Sequence, residues 1–384
     1  MSSFPSLSRR RTHTETDSSS TVIGDEEPRF RLVRTPTDST STSSMDSKIF
    51  SGPKILQDIV ASKDGEKVPQ LTIMEELLLL GINDKGHLSL RNEHLSSVLR
   101  CSILMELALR RRIALIPHQS RWRVPVSELV VEVIDDGLTS EPILDETLKM
   151  MKAVQTPLGA QAGVEKTSVK NWISLLSSEG WDVEVGTGYQ LKQVRERLMK
   201  GLVDKGVLRS DTRNYLLFKT AAHPIADHTT KSDLIIRVAR FLTASTFSGA
   251  ALGEDSSNIR CPILRLVCLV CAAYTAGVLD HALSAANVGD EQHESALDRA
   301  DQILVEFGCW PFGSPGPSST PRLDRRKQAG RGSTPGAGDS RKFIGWLLQE
   351  VKSEIVQWSG GEDEDKDFGF ELVAGVLEVF SKLD

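Results

Sequence analysis

The sequence predicts a mainly α-helical fold: a single compact helical domain with one or more β-hairpins, a disordered N-terminal tail and a Gly/Pro-rich insertion near the C-terminus. Apolar residues recur at three- and four-residue spacing through residues 71–308, broken only by short turns, and this spacing is typical of amphipathic helices. In residues 189–218, one such helix precedes two short apolar runs separated by polar residues. That order predicts a helix followed by a hairpin.

Two segments have compositions that do not suit a packed core. Ser and Thr make up twenty of the first fifty residues, so residues 1–66 are predicted to be a disordered tail open to phosphorylation. Gly, Pro, Ser and Arg dominate residues 313–341, which indicates a flexible insertion. The helical domain is expected to cover residues 67–384, because the roughly forty residues after the insertion would be marginally stable alone.

The boundaries of individual elements follow from caps and periodicity. Thr72 followed by Glu75 has the spacing of a capping box and marks the start of the first helix, at residues 71–80. A longer helix is predicted at 98–113, with Ser96/Ser97 as its N-cap. The other predicted elements are a strand or hairpin arm at 122–133, helices at 144–154, 169–176, 191–204, 234–242, 343–358 and 370–383, and a hairpin at 207–218 with its turn at 209–213.

Composition also limits the cellular compartment. The chain has five cysteines, and no apolar segment follows the basic residues at its start. We therefore expect reduced thiols in the cytosol and no cleavable signal. The most apolar run, residues 261–279, contains Arg265 and is predicted to be a buried core helix rather than a membrane span. Any membrane contact should be peripheral.

A basic stretch stands out in an otherwise acidic chain. Residues 192–213 hold seven basic and three acidic residues, a local charge of +4, whereas the whole chain carries -6. Lys192 and Arg195 are three residues apart, so they are neighbours on the surface of the predicted helix. Such a local patch indicates an anionic partner.

A second cluster contains seven arginines between Arg91 and Arg123. Arg100 is predicted to lie in the first turn of its helix, where free backbone N–H groups and the helix dipole favour an anion. Its planar guanidinium suits a phosphate. For residues 110–112 a solvated charged face is the simpler interpretation.

Several motifs resemble the Golgi phosphoprotein 3 family. The similarity runs in order over about residues 68–300. The motifs that carry it are residues 71–81, 99–110, 144–148, 171–176, 189–218 and the dipeptide His223-Pro224.

The resemblance implies a mostly helical adaptor on the cytoplasmic face of Golgi membranes. It implies binding to phosphatidylinositol 4-phosphate, to coatomer and to the cytosolic tails of glycosyltransferases, so that these enzymes are retained or recycled. Homo-oligomers are compatible with it. No nucleic acid partner, cofactor or metal is expected.

Carried over by position, the family's lipid-headgroup pocket corresponds to Arg100, Lys192 and Arg195. The family adds a Trp from the motif Phe-Trp-Asn-Asp, but this chain has Leu90-Arg-Asn-Glu93 there. Arg91 thus stands in place of the Trp, which removes an aromatic wall and adds a positive charge. The resemblance therefore implies phosphate attraction and leaves headgroup selectivity open.

The hairpin at 207–218 matches a family hairpin involved in membrane contact or self-association. Its residues Leu216, Leu217 and Phe218 could enter the interfacial layer of a membrane or form a strand that covers the core.

The cluster Arg9, Arg10 and Arg11 resembles the N-terminal arginine motif through which the family binds coatomer.

The sequence predicts no catalytic activity. Cys268 and Cys271 form a lone CxxC in an apolar run, with no second pair at zinc spacing. Two small core residues are the simpler interpretation.

Two other functions stay open at this point. A helix followed by a hairpin with basic residues on both is also how a winged-helix nucleic-acid binder is built. Alternatively, Arg91 and the insertion could mark a divergent member of the family, a protein-interaction module without lipid selectivity.

Overall fold

Helices make up most of the fold. The computed structural model describes residues 71–88, 93–118, 123–155, 167–177, 190–214, 219–244, 259–314, 337–359 and 368–383, all within the compact unit Pro53–Asp384. The helices are α1 (Ile73–Gly81), α2 (Glu93–Leu109), α3 (Pro142–Gln155), α4 (Val169–Ser177), α5 (Val194–Asp204), α6 (His228–Thr243), α7 (Pro262–Thr275), α8 (Leu279–Ala285), α9 (Asp290–Phe307), α10 (Ala337–Trp358) and α11 (Phe368–Phe380). The strands are β1 (Ile113–Leu115), β2 (Val131–Val133), β3 (Asp211–Asn214) and β4 (Lys219–Ala222). The prediction of a mainly helical fold with a hairpin is confirmed.

Helix α1 lies at the centre of the fold. It packs against α2, α5, α6, α7 and α8, and its leucines are buried on every side, which explains why its sequence is apolar all round. The predicted capping box is present: the Thr72 side chain accepts from the Glu75 N–H, and the Glu75 carboxylate accepts from the Thr72 N–H at 2.9 Å.

Helix α2 begins earlier than predicted. It starts at Glu93, so Ser96 and Ser97 lie inside the helix and do not cap it. The reason is that Leu95 is fully buried, which extends the apolar face one turn upstream of Val98. Arg100 consequently lies in the helix interior, and the prediction that it belongs to the first turn is wrong.

The first small sheet pairs β1 with β2 in antiparallel register, Ile113 opposite Val133. Only the last part of the predicted strand at 122–133 is extended. Residues Val126–Glu128 form a 3-10 helix directly after Pro125, a residue that suits the start of a helical turn because its φ is fixed and it donates no N–H. Residues 119–122 lie outside the described part of the chain.

The second sheet is a hairpin with a different turn from the one predicted. Strand β3 pairs with β4, Asp211 opposite Ala222 and Asn214 opposite Lys219. Residues 211–213 therefore form a strand, not a turn. Leu208 instead bridges to Ile225; both are buried, because two apolar residues gain more by pairing at the core than by flanking an exposed turn.

The C-terminal helices pack back on the fold. Helix α11 contacts α2, β1, the 3-10 helix, α7 and α9, and most of its side chains are buried. Helix α10 starts at Ala337, so the last residues of the predicted insertion at 313–341 are helical. Gly313 is also ordered: its φ is +80° and its N–H donates to the Glu306 carbonyl. Residues 315–336 lie outside the described part of the chain.

Helix α7 is a core helix, as predicted for residues 261–279. Cys268 and Cys271 are fully buried, and burial raises the pKa of the Cys268 thiol to about 12. Within the described residues, no single helix has the length and apolar composition needed to cross a membrane; α7 and α8 together have both, with a bend of 105° between them.

Candidate functional site at the start of helix α5

The candidate site begins where the chain turns into α5. Gln193, the N-cap residue, has a left-handed backbone with φ 52°, and its side chain makes no capping hydrogen bond. A left-handed conformation is uncommon for a residue other than glycine, and it often marks a functional position. Within the described part of the chain, the backbone N–H groups of the first turn of α5 therefore have no side-chain cap, an arrangement that favours an anion.

Helix α5 is oriented by its apolar face. Val194, Leu198 and Leu202 are buried at three- and four-residue spacing. This leaves Lys192 exposed and Arg195 half-buried. Within the described residues, neither of these two side chains pairs with a carboxylate, so both positive charges are available to a ligand.

The side chain of Arg100 reaches this site from α2. Its Nε donates to the Leu176 carbonyl at 2.8 Å, and its Nη2 donates to the Leu191 carbonyl at 3.1 Å. Its Nη1 donates to the backbone oxygen and the hydroxyl of Ser96, at 2.8 and 2.6 Å. The structure thus places the guanidinium of Arg100 against Leu191, the residue directly before Lys192. Arg100 does so from the interior of α2 and not from a helix N-terminus, as was predicted.

Other basic residues of the 192–213 stretch form ion pairs within the fold. Arg197 pairs with Glu146 at 2.5 Å. Lys205 binds two carboxylates, Glu75 at 2.7 Å and Glu141 at 2.6 Å. The charge that faces solvent is therefore smaller than the sequence suggests. The exposed basic residues are Lys192, Lys200 and Arg209, and Glu196, Asp204 and Asp211 are exposed beside them.

Arg110 does not belong to a solvated charged face, contrary to the sequence interpretation, whereas Arg111 is exposed. Arg110 and Arg265 both bind the fully buried Glu106, at 2.7 and 2.6 Å, and this carboxylate also accepts from the N–H of Ile73. Burial raises the pKa of Glu106, but Arg265 and Arg110 together with that N–H lower it overall to about 2. Arg112 pairs with Asp135. The bonds of Glu106 join α1, α2 and α7, and they engage Arg110 and Arg265 inside the fold.

The remaining predicted site residues lie outside the described part of the chain. They are Arg91, the hairpin residues Leu216, Leu217 and Phe218, and the tail residues Arg9, Arg10 and Arg11.

The described residues hold no group of His, Cys, Asp and Glu side chains that could bind a metal ion.

The groups that hold Arg100 were not predicted from the sequence. The carbonyls of Leu176 and Leu191 carry no sequence signal, because any residue supplies one. Ser96 did carry a signal: it lies four residues before Arg100, the spacing of neighbours on one helix face. Because Ser96 was interpreted as an N-cap, its hydrogen bonds with Arg100 were not predicted.

Comparison with known proteins identifies the family. The family model described as Golgi phosphoprotein 3 matches residues 73–310. Vacuolar protein sorting-associated protein 74 of Schizosaccharomyces pombe is 40% identical over 342 residues, 88% of each chain. The protein of the same name from Eremothecium gossypii is 35% identical over 323 residues, 84% of this chain and 86% of the relative. The chain belongs to the Golgi phosphoprotein 3 family.

Proposed function

We propose that the protein is a peripheral Golgi membrane adaptor that binds phosphatidylinositol 4-phosphate at the start of α5. The names of the family and of its vacuolar protein sorting relatives indicate a Golgi-associated role in protein sorting. The observation that carries the lipid proposal is the basic start of this helix. Its N-cap residue makes no side-chain capping bond, Lys192 and Arg195 are unpaired among the described residues, and Arg100 donates to the carbonyl of Leu191.

The charges suit a phosphorylated headgroup at a membrane surface. A basic residue near an anionic leaflet contributes about 1 kcal/mol to binding, so a few of them give reversible attachment. Specific binding needs a fixed geometry as well as charge. Lys192 and Arg195, together with the N–H groups of the first turn of α5, would provide that geometry.

Two further features are proposed to modify membrane binding. Arg91, which replaces the family Trp, would strengthen attraction to phosphate and weaken discrimination between headgroups.

The segment that joins β3 to β4 contains Leu216, Leu217 and Phe218. We propose that this apolar segment inserts into the interfacial layer rather than covering the core, because the register ends with Asn214 opposite Lys219.

The proposed partners follow from the family. Arg9, Arg10 and Arg11 would bind coatomer, and the domain would bind the cytosolic tails of glycosyltransferases, so that these enzymes are retained or recycled. The protein would act without catalysis, and self-association would be compatible with this role.

Flotation with liposomes tests the lipid proposal. The protein should prefer vesicles that carry phosphatidylinositol 4-phosphate over vesicles with other phosphoinositides or with phosphatidylserine alone. The Lys192→Ala/Arg195→Ala variant should lose this preference. The matched control is Lys200→Ala/Arg209→Ala, which removes the same charge from exposed positions outside the first turn of α5 and should keep the preference.

Other outcomes would favour the other functions. Equal binding of the wild-type protein to every anionic vesicle would indicate a family member without lipid selectivity. No vesicle binding would indicate a protein-interaction module. A salt-sensitive shift of duplex DNA at low micromolar protein would support a nucleic-acid binder.

A further inference from the structure

We infer that Glu354 of α10 is a pH-sensitive latch: its carboxyl group caps the start of the core helix α7, and the charge on that group sets how firmly α10 is held on the core. Helix α10 is the first helix described after the insertion, so the latch fastens the C-terminal part of the chain. It uses none of the residues of the proposed lipid site and would operate whether or not a lipid is bound.

The start of α7 depends on a cap from outside the helix. Its N-cap residue, Cys261, has a left-handed backbone with φ 46° and makes no side-chain capping hydrogen bond. Pro262 at the first helical position has no N–H to donate. The N–H of Arg265 already donates to the Cys261 carbonyl at 2.9 Å. The first turn of α7 therefore leaves the N–H groups of Ile263 and Leu264 without an acceptor inside the helix.

Both of these N–H groups donate to Glu354, 91 residues further along the chain than the first of them. Its Oε1 accepts from Ile263 at 2.9 Å, and its Oε2 accepts from Leu264 at 3.1 Å. Ile263 and Leu264 are buried, at 4% and 0% exposure, so water cannot readily take the place of this acceptor. A release of α10 would leave two buried donors unsatisfied, which is unfavourable.

Among the described residues, no cation pairs with Glu354. Helix α10 packs against α7 and α9, and the basic residues there are engaged elsewhere. Arg265 in the first turn of α7 binds Glu106 at 2.6 Å. Arg299 of α9 donates to a backbone carbonyl at 2.6 Å, and Arg260, which precedes α7, lies over an aromatic ring of α11. The carboxylate is thus held by two N–H groups and by the positive end of a helix dipole.

A buried carboxylate without a cation takes up a proton more readily than an exposed one. Burial raises the pKa of Glu354 from 4.5 to about 7, although the N–H groups of Ile263 and Leu264 lower it. Glu350, one turn earlier on α10, adds a like charge that raises the pKa further. A protonated carboxyl can still accept a hydrogen bond, so the cap survives protonation and the cost of burying its charge is removed.

The direction of the pH effect follows from this raised pKa. In released α10 the carboxyl of Glu354 would meet water and return to its ordinary pKa of 4.5. The docked state therefore binds more protons than the released state between about pH 4.5 and pH 7, and docking weakens as the pH rises through that range. From pH 6 to pH 8 the equilibrium constant for release of α10 should increase about tenfold.

Hydrogen exchange of the full chain tests the latch. After correction for the intrinsic pH dependence of exchange, the α10 amides of the wild-type protein should show this increase between pH 6 and pH 8. Glu354→Gln, which is neutral at both pH values and keeps an oxygen that can accept from α7, should show the same release at both. The matched control is Glu291→Gln, which removes an exposed carboxylate of α9 and should keep the wild-type profile. A wild-type profile in Glu354→Gln would overturn the inference.

Carbon NMR of the glutamate carboxyl groups tests the same point in the wild-type protein and does not depend on the folding of Glu354→Gln. One glutamate carboxyl should titrate near pH 7, and Glu350→Gln should move its midpoint to lower pH, because that variant removes the neighbouring like charge. The absence of a glutamate that titrates above pH 6 would overturn the inference. A midpoint near pH 7 that Glu350→Gln leaves in place would belong to another carboxyl and would also overturn it.

Discussion

Two basic stretches of this chain look alike in composition and are used in different ways. In the stretch from Arg91 to Arg123, arginines bind protein oxygens: Arg100 donates to backbone carbonyls, and Arg110 binds the buried Glu106. In the stretch at 192–213, Lys205 and Arg197 are paired with carboxylates, whereas Lys192 and Arg195 at the start of α5 pair with none in the described residues.

The difference shows that charge counted along a sequence is not charge available to a ligand. A basic residue inside the fold is neutralised by a carboxylate or bonded to carbonyls, because an unpaired buried charge is costly. Only basic side chains that reach solvent without an ion-pair partner can bind an external anion. Measurements of stability should therefore respond to the first group, and measurements of lipid binding to the second.

The largest effect on stability is expected at Glu106. Replacing it with Ala leaves Arg110, Arg265 and the Ile73 N–H without their shared acceptor, so we expect a loss of about 3–5 kcal/mol in the free energy of unfolding. Urea denaturation measures it. The matched control is Glu128→Ala, which breaks an exposed pair with Lys170 and should cost at most about 1 kcal/mol. Equal losses in both variants would contradict the comparison.

The free energy of unfolding at acid pH should depend on the same carboxylate. The pKa of Glu106 is lowered from 4.5 to about 2 by Arg265 and Arg110, against the opposing effect of burial. A lowered pKa means that its contribution is present above about pH 4.5 and is lost as the pH falls towards 2. We expect this contribution to be on the order of 3 kcal/mol. Glu106→Gln should flatten the fall in stability between pH 5 and pH 2; an unchanged acid profile in this variant would argue against the prediction.

Lys205 and Lys200 provide a comparison within one basic stretch. Lys205→Ala leaves Glu75, which is 1% exposed, without its cation, so we expect a loss of about 2–3 kcal/mol. Burial and the neighbouring Glu75 already raise the pKa of Glu141, and loss of Lys205 should raise it further. Lys200→Ala should change stability by less than about 0.5 kcal/mol. Thermal and urea unfolding of the two variants distinguish them.

The smallest effect on stability is expected at the candidate lipid site itself. Lys192→Ala/Arg195→Ala should stay within about 0.5 kcal/mol of the wild-type free energy of unfolding and still lose its preference for phosphatidylinositol 4-phosphate. Urea unfolding and flotation on the same preparation check both parts. A large loss of stability would mean that these side chains are structural, as Arg110 is.

Much of the fold could be predicted because its signals are local. The capping box of Thr72 and Glu75, and the periodicity of α3, α4 and α5, need only neighbouring residues. The hairpin was predicted with the wrong turn, since pairing between Leu208 and Ile225 depends on burial across the chain. The start of α2 was misplaced for a similar reason: two serines suggested a cap, and the burial of Leu95 outweighed them.

The sequence by itself determined the helical class, the family and the positions of Lys192 and Arg195 near a helix start, because these depend on spacing and on residue type. Only the tertiary structure decided which charges remain available. Arg100 and Lys205 meet partners far away in the chain: Arg100 donates to the carbonyls of Leu176 and Leu191, and Lys205 binds Glu75. The buried Glu106 likewise binds the distant Arg265. Such contacts depend on how the helices pack, and helix packing is fixed by the whole core rather than by any local pattern.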